Sequence, residues 1–479
     1  MKNKIIYVNY MKYKKSIKKN KKAINKKVTK KCRGGKVIAS GGFGCVFQPA
    51  LRCKNSLSRP KNSISKLMSK HHGIIEMDHI NIIFKKLNKI PNYQNYFVIK
   101  NITSCQPNIL TEKDLISFEK TCTALPKMNI NEENINNNLD ELLMISMPDM
   151  GLPIDDYIIK NNTYNDFKII NKSLINLLLN GIIPMNKRYI FHSDIKDSNI
   201  LIDKEDKNMF ARLIDWGLTT EYIPNSNTRV PKVWYNRPIQ YNMPYSNILF
   251  SDIFIKSYHN FLENNIKDIE LDKIISFVKE FCVFYFNRRN KGPGHLFLIN
   301  KIINIITDEK LTKTSIQNTN SAYQISKNTE YVISSYLSNI LFEYTTDGNY
   351  RQNNIIDRQF NIKEYINKIF IHNIDKWGFV MSYYPFLESF YQNYLIIDDI
   401  QKEIFNSICN LFRYAISMDT DIIETSEIVN YLKELDNLNS THMIKPTDTI
   451  SINTASSSKG ITGNSWNPDD DVKMIHFDN

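Results

Sequence analysis

At 479 residues the chain exceeds the size at which one hydrophobic core usually stops growing, so two lobes are expected. Its 42% hydrophobic and 23% charged content is that of an ordinary globular protein, and no run reaches the roughly 18 apolar residues of a membrane span. The net charge of +13 belongs to one end: residues 1–36 carry fourteen Lys and one Arg with no Asp or Glu, leaving the remainder near neutral.

Residues 1–35 read as a basic, disordered arm, either a solvated tail or an electrostatic tether to nucleic acid, acidic protein or membrane. The arm lacks an apolar h-region, so no secretory signal is expected. Seven cysteines stand at 32, 45, 53, 105, 122, 282 and 409 with no CxxC spacing. Neither a zinc site nor a disulfide framework is expected, and an intracellular, reducing compartment follows. Heavy use of Asn, Ile and Lys suggests an AT-rich genome.

Short apolar runs alternate with turns from residue 36 to 150, predicting a strand-rich lobe. Within it, GIIEMDHINIIFKKLNKI predicts an amphipathic helix with Ile75, Ile82, Phe84 and Leu87 on its apolar face, ended by Pro91. Residues 129–140 are polar and read as a loop, and ELLMISMPDMG reads as a buried strand. Residues 151–436 turn mainly helical. The aromatic cluster Phe281–Tyr285 reads as core. The last stretch, 437–479, is rich in Ser, Thr and Asn and reads as disordered.

Four segments carry chemistry. The first is Ile38-Ala39-Ser40-Gly41-Gly42-Phe43-Gly44-Cys45-Val46, where glycines permit a tight turn and close approach of backbone N–H groups to phosphate oxygens. Ile38 and Val46 flank it as apolar faces for an adenine ring. The second is Lys66 in Ile64-Ser65-Lys66-Leu67-Met68, a strand lysine able to grip phosphates, with Lys54 and Lys61 as rivals. The following helix offers Glu76, or failing it Asp78, to aim that lysine.

The third is Tyr189-Ile190-Phe191-His192-Ser193-Asp194-Ile195-Lys196-Asp197-Ser198-Asn199, in which four polar residues fall at the spacing H-x-D-x-K-x-x-N. Asp194 can accept a hydrogen bond from a substrate hydroxyl and take its proton. Lys196 can offset charge on a transferring phosphoryl group, and Asn199 offers a hard oxygen to Mg²⁺. His192 reads as structural. The fourth is Arg212-Leu213-Ile214-Asp215-Trp216-Gly217-Leu218, where Asp215 ends an apolar strand and supplies a second Mg²⁺ ligand.

Together these motifs resemble the eukaryotic-type Ser/Thr protein kinase family over residues 36–436. The first resembles the G-x-G-x-x-G-x-V loop, with Ala39 at the first glycine; the strand resembles V-A-I-K; Asp215-Trp216-Gly217 resembles D-F-G. The resemblance implies an α+β, two-lobed fold with a small antiparallel β-rich N-lobe and a larger, mainly α-helical C-lobe. It also implies ATP, Mg²⁺ and protein substrates bearing Ser or Thr, since tyrosine kinases usually lack Lys196. The segments Ser65–Met68, Ile90–Tyr93, Arg237–Asn242, Gly292–His295 and Asp375–Gly378 are similar to kinases encoded by large DNA viruses, which implies host cytoplasm or virion.

Three departures follow from the comparison of motifs. Ser193 replaces the Arg of H-R-D, predicting activity without phosphorylation of residues 218–236. Trp234-Tyr235-Asn236-Arg237-Pro238 stands where Ala-Pro-Glu is usual. Asp375-x-Trp377, similar to the D-x-W of a central helix, comes late, so residues 250–370 read as a helical insertion. Two other readings stay open: a small-molecule phosphotransferase of kinase-like fold, and a pseudokinase scaffold whose basic arm holds nucleic acid.

Overall fold

Strands β1 (Lys36–Ser40) and β2 (Gly44–Gln48) pair antiparallel around a three-residue connection, and β2 pairs in turn with β3 (Ser63–Ser69). The computed structural model describes residues 35–160, 164–205, 208–225, 229–265, 270–288, 293–307, 324–350, 356–395 and 397–437. The basic arm and the polar C-terminal stretch expected from the sequence lie outside these residues. Within them the chain divides into two units, one built from residues up to Gly73 with Thr103–Met147, the other from Ile74–Ile102 with the chain from Pro148 onward. The fold is the α+β, two-lobed kinase fold.

The first unit is organised by a five-stranded sheet in the order β1-β2-β3-β5-β4, where β4 is Thr103–Cys105 and β5 is Leu142–Pro148. Successive side chains of a strand point to opposite faces. Val37, Cys45, Phe47, Leu67, Leu142 and Met144 are thereby buried together, over a layer that includes Phe118, Leu125 and Ile135. The polar stretch 129–140 does form turns, yet Ile130 and Ile135 plug into this core. At the edge, Asp114 accepts the Gly35 backbone N–H at 2.6 Å and a two-pronged pair from Arg59 Nη2 at 2.7 and 2.9 Å, fixing the start of β1.

The cysteines correct the sequence expectation. Cys45 is bonded to Cys122 and Cys53 to Cys105, across 77 and 52 residues of chain. Spacing tests detect only pairs that are close in sequence, whereas a sheet brings distant residues together. Cys282 and Cys409 are unpaired and buried. The inference of a reducing compartment, drawn from unpaired thiols, loses its basis.

Helix α1 (Lys70–Leu87) forms where predicted, and of its expected apolar face Leu87 is buried and Phe84 packs against the core, whereas Ile75 and Ile82 do not turn inward. Ile80, Ile83 and Leu87 are buried, spaced by three and four residues as one helical stripe. Ile75 and Ile82 are 53% and 56% exposed. An isoleucine-rich helix satisfies more than one periodic template, and packing selects between them.

In the second unit, β6 (Leu152–Pro153) leads into α2 (Ile154–Lys160) and α3 (Tyr164–Leu177), which runs on through a π turn at Leu178–Ile182. Strand β7 (Ile190–Phe191) precedes the hairpin of β8 (Ile200–Glu205) and β9 (Asn208–Leu213). The hairpin makes a three-stranded sheet with β6, while β7 pairs with β10 (Thr220–Glu221). Segment 93–99 runs beside β9: Leu213 N–H donates to Tyr96 O at 2.8 Å and Val98 N–H to Leu213 O at 3.0 Å.

Residues 250–370 hold α4 (Asp252–Asn264), α5 (Leu271–Arg288), α6 (Pro293–Thr307) and α7 (Lys327–Tyr344), with α7 packed on α5 and α6. Ser251 and Ser326 cap α4 and α7 by accepting backbone N–H groups three residues on. A hairpin, β11 (Thr345–Tyr350) with β12 (Ile356–Phe360), follows. Phe277, Phe281 and Tyr285 stack along α5, with Phe254 edge-on to the first two, a core cluster as expected. The chain then passes to α8 (Ile371–Met381), α9 (Tyr384–Gln392), α10 (Asp399–Ser417) and α11 (Thr425–Asn437).

Candidate active site

The glycine-rich segment forms the β1–β2 turn of the first unit. Gly41 N–H donates to Gly44 O at 2.8 Å and closes the turn. A Cβ on Gly44 would lie 2.6 Å from Leu67 O, so only glycine lets β2 approach β3 here. Ile38 and Ala39 are exposed and Val46 is half-buried. Ser40 Oγ accepts the backbone N–H groups of Thr123 and Ala124 at 3.0 and 3.2 Å. Phe43 stands against His72 of α1, ring centroids 5.0 Å apart. Cys45 does not face outward: its sulfur is bonded to Cys122, and both residues are buried.

Lys66 lies on β3 opposite Val46 and is almost entirely buried. Lys61 and Lys54 are outside the strand and more exposed. Glu76 is half-buried on the same helical stripe as Ile80, Ile83 and Leu87, whereas Asp78 lies on the exposed side.

The catalytic-loop candidates converge within the second unit. Asp194 is buried, and its Oδ2 accepts Lys196 Nζ and Asn199 Nδ2, both at 3.0 Å. Asn199 Nδ2 also reaches Asp194 O at 2.8 Å. The β8–β9 pairing sets Ile200 opposite Leu213, and Ile214 N–H donates to Asn199 O at 3.0 Å. Asn199 and Asp215 therefore flank the same end of one hairpin. Asp215 is exposed and has φ of 64°, a left-handed conformation uncommon outside glycine, Asn and Asp. Trp216, in the position of the D-F-G Phe, is buried between Phe97 and His192 with its indole N–H donating to Val98 O at 3.0 Å.

Residues outside these motifs complete the site. Asn242 Nδ2 donates to Asp194 Oδ1 at 2.9 Å, and the Arg237 guanidinium lies 3.7 Å from the same oxygen. Arg237 Nη1 also donates to Ser193 O at 2.8 Å. Asp375 accepts the backbone N–H groups of His192 and Ser193, each at 2.9 Å, together with Asn186 Nδ2 at 2.7 Å. A Cβ on Gly378 would meet Ile195 O at 2.6 Å, so α8 comes this near the loop because glycine stands there. The strings Arg237–Asn242 and Asp375–Gly378 stood out in the sequence, but no spacing rule linked them to Asp194.

Burial would push the Asp194 carboxyl up, but Lys196, Arg237 and the Asn242 amide hold it down to about 2. The group stays ionised at all physiological pH. Two oxygens offer about four acceptor directions, and the hydrogen bonds above use three, leaving one for an incoming hydroxyl. Burial raises Asp197 to about 6, aided by nearby Asp155. Asn199 spends its amide hydrogens on Asp194, leaving its oxygen as acceptor. With the Asp215 carboxylate it makes a hard, two-oxygen donor set of the kind Mg²⁺ takes alongside water and phosphate.

Residues 36–240 match the family model for the protein kinase domain. That match covers less than half of the chain and is what this stretch is similar to. Similar sequences include calcium-dependent protein kinase 4 of Plasmodium falciparum (isolate 3D7), 31% identical over 91 residues, which is 18% of this chain and 17% of that protein. Cyclin-dependent kinase 11.1 of Caenorhabditis elegans is 28% identical over 117 residues, 23% of this chain and 16% of that protein. The matched regions span about a sixth of these curated relatives. The kinase-domain match ends at Gln240, yet Asn242 and Asp375, which lie beyond it, bond directly to the Asp194 loop. Among the described residues no helix is long and apolar enough to cross a membrane.

Proposed function

We propose that the chain is a serine/threonine protein kinase that transfers the γ-phosphoryl group of ATP to hydroxyls of protein substrates. The observation that carries this is the hydrogen-bonded set Asp194–Lys196–Asn199, joined to Asp215 through the backbone of Ile214. In phosphoryl transfer the protein chiefly positions groups and stabilises charge. Asp194, already ionised and bonded on both oxygens, orients the acceptor hydroxyl in line and takes its proton. A carboxylate held at about 2 is a weak base, so orientation is its larger contribution. Lys196 neutralises charge gathering on the transferred oxygens. The backbone of the Gly41–Gly44 turn covers the phosphates, with Ile38, Ala39 and Val46 toward the base, Lys66 on the phosphates and Glu76 aiming it.

Asn199 and Asp215 would hold Mg²⁺, which would supply positive charge to offset that of the bound phosphates. The resemblance of the five shorter segments to large-DNA-virus kinases supports a viral enzyme of the host cytoplasm or virion. In that setting the basic arm serves as a tether to nucleic acid or acidic protein.

The decisive experiment is transfer of labelled γ-phosphate to basic and acidic protein acceptors with Mg²⁺, comparing the wild type with Asp194→Ala. Label on Ser or Thr that falls by at least ~100-fold in the variant is expected. Transfer to small molecules alone, or none to proteins despite nucleotide binding, would overturn the protein-kinase reading.

A further inference from the structure

Tyr241 joins the catalytic loop to the helical segment 250–370. Its hydroxyl donates to Asp197 Oδ1, and its carbonyl accepts the Trp377 indole N–H at 3.0 Å. The next residue, Asn242, donates to Asp194 Oδ1 at 2.9 Å and to Ile195 O at 3.2 Å. Residues 241 and 242 thus grip both ends of the stretch Asp194–Asp197.

The Tyr241 ring is itself held from two sides. Tyr384 approaches it with centroids 6.2 Å apart. His295, in the first turn of α6, stacks on it with centroids 5.8 Å apart and planes 28° from parallel. Burial and the neighbouring Lys196 push the His295 imidazole down to about 4, so at physiological pH it adds no third cation beside Lys196 and Arg237. Its Nδ1 is buried without a hydrogen-bond partner. The contact is therefore one of neutral ring against ring, which orients an aromatic side chain rather than bonding it.

We propose that His295 is a positioning residue for phosphoryl transfer: stacked on Tyr241, it fixes the Tyr241–Asn242 grip on the catalytic loop, which makes the 250–370 segment a working part of the active site. The inference rests on the phosphotransfer reading above. It goes beyond it by assigning a task to a segment that the kinase-domain match does not cover.

The test is steady-state transfer from ATP to dephosphorylated casein by the full chain carrying His295→Ala, His295→Phe, Tyr241→Phe, and the His295→Ala/Tyr241→Phe pair. His295→Ala is expected to lower kcat about five- to tenfold, the size of one lost aromatic contact, with KM for ATP within about twofold. His295→Phe keeps the stack and restores kcat. Because the effect runs through Tyr241, the pair loses no more than the larger single loss. Wild-type kcat in His295→Ala, failure of Phe to rescue, or multiplying losses in the pair would each overturn the inference. Where Ala prevents folding, His295→Asn replaces it against His295→Phe, with the same expectations. A wild type that transfers nothing would sink the phosphotransfer reading itself, and the inference with it.

Discussion

The Arg237 guanidinium lies 3.7 Å from Asp194 Oδ1, and neither side chain is more than 9% exposed. Arg237 also donates to Ser193 O, so the cation fixes both the charge and the backbone of the catalytic loop. Burial lowers Arg237 to about 10, which still leaves it charged at neutral pH. That permanent pairing holds the loop without a charge added by phosphorylation.

That arrangement predicts a constitutive enzyme. Ser193 presents no cation to a phosphate on residues 218–236; its hydroxyl accepts the Trp234 indole N–H at 3.0 Å and donates to Phe191 O at 3.4 Å. Phosphatase treatment should leave turnover within about twofold of the untreated enzyme, whereas Arg237→Met should reduce it at least tenfold, the cost of breaking a buried charge pair. Loss of activity on dephosphorylation, read by mass spectrometry and transfer assay together, would refute the prediction.

Asp375 makes a second prediction about the same loop. Its two oxygens accept two consecutive backbone N–H groups, of His192 and Ser193, in a loop where Ser193 has φ of 61°. Such a conformation persists only when its surroundings hold it. Asp375→Asn keeps the shape but turns one acceptor into a donor facing an N–H. Turnover should drop about 10- to 100-fold, from hydrogen bonds to a buried charge worth roughly 1.5–3 kcal/mol. ATP affinity, measured by calorimetry, should change much less. An equal loss in both would mean that Asp375 supports the fold as a whole.

These two relationships show what the sequence carries and what it does not. Asp194, Lys196, Asn199 and Asp215 were legible because a single loop and hairpin bring them together, and short spacings survive in one dimension. Arg237, Asn242 and Asp375 act on the same loop from 43 to 181 residues away, and only the packing of α8 and the 237–242 turn reveals it. The disulfides were hidden for the same reason, because the sheet joins Cys45 to Cys122. Helix α1 was legible in part: its existence and the inward Phe84 and Leu87 followed from the pattern, but with isoleucine at 74, 75, 80, 82 and 83 periodicity alone did not choose Ile80 and Ile83 over Ile75 and Ile82.

The Cys45–Cys122 bond predicts a redox-dependent stability of the glycine-rich turn. Cys45 directly follows Gly44, and Ser40, at the other end of the turn, is bonded to Thr123 and Ala124 beside Cys122. Both flanks of the turn are therefore anchored on one short segment. Cys122→Ser should cost about 2–4 kcal/mol of unfolding free energy, by releasing a loop of several tens of residues in the unfolded chain. Hydrogen exchange of residues 38–46 should accelerate with it, while that of β8 and β9 stays as it was. Unchanged exchange in 38–46 would show that the Ser40 bonds suffice to hold the turn.

Lys376 provides a test by pH that is independent of catalysis. It is buried on α8 with Nζ donating to Ile423 O, and burial lowers it to about 8, Glu424 only partly offsetting this. A lysine whose folded pKa lies below its unfolded value of 10.5 binds fewer protons when folded between those two pH values. By linkage, its contribution to stability rises with pH across that window and is flat below about 8. At neutral pH the charged form carries a penalty on the order of 3 kcal/mol. Lys376→Met keeps the aliphatic stem and removes the charge. The variant should be as stable as the wild type or more so at pH 7, and its advantage should shrink as pH rises from 8 toward 10. Urea denaturation at pH 7, 8.5 and 10 decides it. A variant less stable than wild type at pH 7 would mean that the bond to Ile423 O outweighs the cost of burying the ammonium group.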